Sequence, residues 1–110
     1  MSRSAEVLQG TLDLLVMKAL SLAPLHGWGI SQRIQQLSQG ALQLGQGSLY
    51  RALYRLERKG LITGDWRITE NNREAKNYRL SSAGRKALAI EMEDWRSFVG
   101  AVDLVLLAKA

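Results

Sequence analysis

The stretch that most restricts what this chain can become is Gly47-Ser48-Leu49-Tyr50-Arg51-Ala52-Leu53-Tyr54-Arg55-Leu56-Glu57-Arg58-Lys59-Gly60-Leu61-Ile62. At 3.6 residues per turn, Leu49, Ala52, Leu53 and Leu56 fall on one side and form a stripe that must be buried. Ser48, Arg51, Arg55 and Arg58 repeat the same spacing on another side, with Tyr50 and Tyr54 beside them. Gly60 stands where a helix ends on a left-handed residue, and Leu61-Ile62 opens an extended segment. A helix held down by leucines and presenting arginines, hydroxyls and tyrosines has the chemistry of a major-groove reader. Arginine bonds guanine edges or phosphate, and hydroxyls add phosphate contacts. An ordinary solvated basic face would look the same in isolation, so the surroundings decide.

The first of those surroundings is charge. The chain of 110 residues carries a net charge of +5. Residues 51–86 hold ten Lys/Arg against four Asp/Glu, a local net of +6, while the rest of the chain is slightly acidic. Positive charge concentrated in this way matches a polyanion such as nucleic acid. An anionic membrane surface would call instead for a basic helix with an exposed apolar face. With no cysteine, disulfides, thiol catalysis and cysteine metal sites are excluded. Met1-Ser2-Arg3-Ser4-Ala5-Glu6 has no signal-peptide h-region, and the most apolar stretches are interrupted by Asp13, Lys18 and Asp103. The expectation is one cytoplasmic domain with no membrane span.

Taken in order, residues 11–22 predict a first helix, capped by Thr11, with Asp13 at the positive end of its dipole and Leu12, Leu15, Val16, Ala19 and Leu20 as its core stripe. Leu14, Met17 and Leu22 make its other sides apolar, so it needs cover from two directions. Ala23-Pro24-Leu25-His26-Gly27 closes it. A second helix follows over Trp28 to Ser38 with Ile30, Ile34 and Leu37 inward, ended by Gly40. Beyond the central helix the period changes. Leu61, Ile62, Trp66 and Ile68 mark a strand with Gly64 as a bulge or turn. Thr69 to Glu74 forms a polar turn, and Ala75 to Leu80 a second strand with Tyr78 and Leu80 on one face. Helix, helix, basic helix and a charged hairpin make a winged helix-turn-helix. The fold class is therefore mainly α with a small β-hairpin wing, continued by a long C-terminal helix.

Ser81 or Ser82 caps that last helix, which runs from about Ala83 to Leu107. Leu88, Met92, Trp95, Val99, Val102 and Leu106 are spaced alternately by four and three, an a/d seam. Phe98, Ala101 and Val105 widen it beyond the needs of a three-helix core. A homodimer interface is the reading preferred over a helix that only caps its own domain. The division is residues 1–82 for DNA binding and 83–110 for dimerisation, within one compact unit.

These residues resemble the PadR family of bacterial transcriptional regulators, in the short form with a single C-terminal helix. The resemblance rests on Gly10-Thr11-Leu12-Asp13-Leu14-Leu15, on Leu25-His26-Gly27-Trp28-Gly29-Ile30 and on Gly47-Ser48-Leu49-Tyr50 with Leu53, Leu56-Glu57 and Gly60-Leu61-Ile62. It continues through Arg73-Glu74-Ala75-Lys76-Asn77-Tyr78-Arg79-Leu80-Ser81 with Gly84, and spans roughly residues 8–107. It implies a dimeric winged-helix protein on palindromic operator DNA, usually a repressor. By position it implies DNA contacts from Gln46, Ser48, Tyr50, Arg51, Tyr54 and Arg55 on the central helix, and from Arg73 and Lys76 on the wing. The family places proline where this chain has Arg51, so the resemblance does not itself make Arg51 a base reader, and Tyr50 has packing within the domain as its alternative. In some relatives aromatic residues of the last helix stack against flat hydrophobic effectors; here Met92, Trp95 and Phe98 occupy that part, with simple filling of the interface as the plainer role.

His26, the only histidine, lacks the partners of a catalytic dyad or metal site and reads as structural or capping. Glu91, Glu93 and Asp94 read as a solvated helix face. Gly45-Gln46-Gly47-Ser48 lacks the lysine and spacing of a phosphate loop. No catalytic residue, metal or cofactor is expected. The function expected is a homodimeric DNA-binding repressor. The alternatives are an effector-sensing regulator that releases DNA, and a winged helix serving as a protein-interaction module.

Overall fold

In the computed structural model, which describes residues 9–110, the order is α1 (Gln9–Leu22), β1 (Leu25–His26), α2 (Gly27–Leu37), α3 (Gln46–Arg58), β2 (Ile62–Ile68), β3 (Glu74–Leu80) and α4 (Ser82–Leu106). Met1–Glu6, read above for a targeting signal, lie outside the described residues. The core forms where the apolar stripes of α1, α2 and α3 meet: Val16, Ile30, Leu49, Leu53, Leu56 and Ile62 are its largest fully buried side chains. The buried set on α3 is Leu49, Ala52, Leu53 and Leu56, the i, i+3, i+4, i+7 stripe of the sequence.

Several boundaries differ from the sequence expectation for physical reasons. Thr11 lies inside α1 and is not its cap. Asp13 is beyond the first turn, and its carboxylate serves α3 rather than the helix dipole. Met17 is buried and Leu15 only half-buried, because α4 as well as α2 and α3 lies against α1. The cover from two sides that α1 requires thus comes, in part, from its own chain.

The sheet has three strands in the order β1-β3-β2, all antiparallel. Gly64 is no bulge: the register runs unbroken from Ile62↔Leu80 through Gly64↔Tyr78 to Ile68↔Glu74. Asn72 turns the hairpin tip with φ 58°, one of the left-handed residues the polar turn anticipated. Strand β1 was not anticipated. Two residues, Leu25 and His26, pair with Tyr78 and Asn77 and stitch the start of α2 to the wing.

Two serine and glycine devices hold α4 to this frame. Ser81 Oγ accepts the Gly84 N–H at 3.0 Å and donates to the Gly60 carbonyl at 2.7 Å. One hydroxyl therefore caps α4 and also ties it to the end of α3, where Gly60 takes φ 73° as its position predicts. Ser81→Ala should cost about 1 kcal/mol, read in thermal unfolding as a fall of roughly 4–8 °C. From there α4 continues for 25 residues, roughly 37 Å, and its later turns leave the core.

Candidate nucleic-acid interface

Opposite its buried leucines, α3 presents Gln46, Ser48, Tyr50, Arg51 and Tyr54 to solvent. Tyr54 is 63% exposed although aromatic, which burial does not explain. The Arg58 guanidinium lies over its ring, 5.6 Å from the centroid, a geometry in which cation and ring hold each other in place. Arg51 Nη2 lies 3.4 Å from Ser48 Oγ. Arg51 makes no ion pair among the described residues, and its fork stays open toward solvent.

The edges of this face are anchored. Arg55 Nη2 donates to Asp13 Oδ1 at 2.7 Å, with only 26% of its side chain exposed and its Nε buried without a partner. Part of its fork is therefore committed to α1, and only the remainder reaches the exposed face. On the other edge the Tyr50 ring lies across Gly27: a Cβ at residue 27 would stand 2.7 Å from the phenol oxygen. A side chain at residue 27 would have to push the Tyr50 phenol aside. Tyr50 packs on α2, the alternative expected of it, while 48% exposed.

On the wing, Lys76 donates to Glu57 Oε1 at 2.9 Å and lies 5.5 Å from the centre of the Tyr78 ring. The hydrogen bond to Glu57 raises the lysine pKa above its ordinary value, against a smaller opposing effect of burial, so it is charged at neutral pH. Burial likewise raises the Tyr78 phenol, which is neutral there. Lys76 thus joins wing and α3 as well as offering charge. Arg73 is exposed at the tip and makes no ion pair among the described residues. The Arg79–Asp65 pair, 2.8 Å long and about half exposed, adds little.

A wide cleft, about 730 Å³, separates the wing from the start of α2. It contains two tryptophans, Trp28 and Trp66, that sequence reading treated only as markers of a helix and a strand. The signal that could have found them is parity. Ile62, Gly64, Trp66 and Ile68 share one face of β2, and only the first lies over the core. His26, expected to be structural, is the cap of α2: its Nδ1 accepts the Gly29 N–H at 3.0 Å. No cluster of metal-ligating side chains occurs among the described residues.

Helix α4 divides into two parts. Leu88 is buried in the chain's own core and Met92 packs partly against it, so the first two seam positions serve the domain. Trp95, Val102 and Leu106 are exposed, Val99 half-buried, and Phe98, Leu104, Val105 and Leu107 extend the uncovered apolar surface. Trp95 and Phe98 tilt against each other with centroids 6.4 Å apart. They border a shallow cavity of about 240 Å³ with Gly10, Thr11 and Leu14 of α1; Met92 does not line it. No helix among the described residues is long and apolar enough to cross a membrane.

This is the frame of a winged helix-turn-helix regulator. Residues 16–90 match the transcriptional regulator PadR-like family, and the chain belongs to that family. A PadR family transcription regulator from Clostridium difficile superposes with a TM-score of 0.74 at 26% identity, covering 86% of this chain and 97% of that one. A transcriptional regulator from Clostridium thermocellum superposes at 0.80 with 23% identity over 92% of this chain and 93% of that one, which reports on fold. In sequence, a transcriptional regulator of Mycobacterium tuberculosis is 39% identical over 54 residues, 49% of this chain and 50% of that protein. An uncharacterized protein of Lysinibacillus sphaericus is 24% identical over 93% of this chain and 94% of its own length.

Proposed function

We propose that this transcriptional regulator is a sequence-specific repressor that binds a palindromic operator in the cytoplasm as a homodimer. The observation that carries this reading is the exposed face of α3: Arg51, Tyr54 and Ser48 stand open to solvent beside a basic wing, on a helix whose opposite face is locked into the core. Helix α3 enters the major groove, with Gln46, Ser48, Tyr50, Arg51, Tyr54 and the free part of Arg55 as its contacts. Arg73 and Lys76 bring the wing to the sugar-phosphate backbone. Residues 1–82 form the DNA-binding part and residues 83–110 the dimerisation part. Trp95, Val99, Val102 and Leu106 form the seam with a second copy, and the two reading helices meet successive major grooves about 34 Å apart.

The division of roles is tested by a salt series on specific and scrambled duplexes. Arg73→Ala should weaken binding to both alike and reduce the salt slope by about one. Arg51→Ala should cost about 1–3 kcal/mol on the specific duplex and relax preference at one position. Equal losses for the two variants on the two duplexes would contradict this assignment. A second reading, an effector-responsive regulator, draws support from the cavity beside Trp95 and Phe98. A planar hydrophobic compound there would quench Trp95 and lower DNA affinity.

A further inference from the structure

Two of the three tryptophans of this chain, Trp28 and Trp66, are 56% and 67% exposed. They are found in the same cleft, between the wing and the start of α2. An exposed large apolar side chain is unremarkable singly, but a cluster of them in one concave place calls for an occupant. We infer that this cleft seats one sugar-phosphate strand of the bound duplex, gripped between Trp28 and Trp66 by contacts that are largely non-ionic. The inference rests on the DNA-binding reading above and assigns that reading a second set of residues.

Four observations support that occupant. First, the cleft is continuous with the reading face: Tyr50 borders it and also borders the groove along Gly47, Arg51 and Tyr54. A ligand lying on α3 reaches the cleft without a break. When a helix is in a major groove and a neighbouring hairpin is at the adjacent minor groove, the strand separating those grooves has to pass between them. Second, the rim carries two cations, Arg73 and Lys76, against one carboxylate, Glu74. Trp66 and Lys76 are direct cross-strand partners, so an apolar wall and an ammonium sit side by side.

Third, His26 contributes a donor. Because its Nδ1 accepts from the Gly29 amide, the neutral ring carries its proton on Nε2. It also stacks on Trp28, with centroids 6.2 Å apart and planes 17° from parallel, which holds the indole in place within the cleft. Fourth, pairing of β1 with β3 fixes His26 opposite Asn77. Trp66 stands on β2 of that sheet and Trp28 on α2, which follows β1 directly, so both walls are tied to one frame.

The test uses the full-length protein, a duplex that the native protein binds, and a salt series. Trp66→Ala and Trp28→Ala should each weaken binding severalfold with the salt slope unchanged, whereas Arg73→Ala lowers the slope. Trp66→Phe should recover most of the affinity. In a Trp95→Phe background the duplex should quench fluorescence, and less so once Trp28 or Trp66 is also replaced by Phe. Since both side chains are more than half exposed, circular dichroism should show the alanine variants folded. Native affinity in both alanine variants, or a loss accompanied by a lower salt slope, would overturn the inference and leave the α3 reading standing. If the native protein binds no duplex at all, both fall together.

Discussion

Gly84→Ala should be the most damaging small substitution in this chain. A Cβ at residue 84 would overlap the Leu61 carbonyl oxygen and lie 2.6 Å from Leu80 Cδ1. The Leu61 carbonyl cannot turn aside, because it already accepts the Ser81 N–H at 3.1 Å. The first turn of α4 would have to lift from β2 and β3, and with it the Ser81 cap and the seat of Leu88. Overpacking of this kind costs about 3 kcal/mol, and thermal unfolding should show a fall of roughly 12–24 °C. A variant melting within two or three degrees of native would mean that α4 does not start where the structure places it.

The second large effect concerns the uncovered half of α4. Val102→Glu puts a carboxylate in the middle of the proposed seam, and two-fold symmetry puts a second one in the same seam. Burying each without a partner costs several kcal/mol, more than a seam of this length can absorb. Sedimentation should then find the 12.2 kDa chain as a monomer. Operator affinity should fall by about 100-fold or more, since the two half-sites no longer act together. The fold should survive, because Val102 lies beyond Leu88 and Met92, the residues with which α4 joins the core. A dimer with native affinity would show that the exposed apolar strip has some other use.

The parts of the molecule legible in the sequence are those governed by neighbours along the chain. The α3 stripe, the Gly60 terminus, the Ser81 cap and the Asn72 turn each depend on periodicity or on one residue's backbone preference. The Arg55–Asp13 pair joins residues 42 apart, and nothing local distinguishes Asp13 from any acid early in a helix. Strand β1 has two residues, too few for alternation to show, and exists only because Tyr78 and Asn77 present an edge. Trp28 and Trp66 belong to different elements, and only the tertiary fold turns two separate apolar residues into the walls of one cleft. The α4 seam shows both sides of this: its spacing is plain, but that Leu88 is buried in the core while Val102 stays exposed is a matter of tertiary packing.

The central claim is that α3, on a two-fold dimer, reads a defined sequence. It is tested most directly by fluorescence anisotropy with the duplex from upstream of the protein's own gene and a scrambled duplex of the same composition, at several salt concentrations. The account predicts saturation at one dimer per specific site, with a preference of about a thousandfold or more over the scrambled duplex. Weak binding to both duplexes with the same affinity and the same salt slope would contradict it, leaving a basic surface that attracts DNA without reading it.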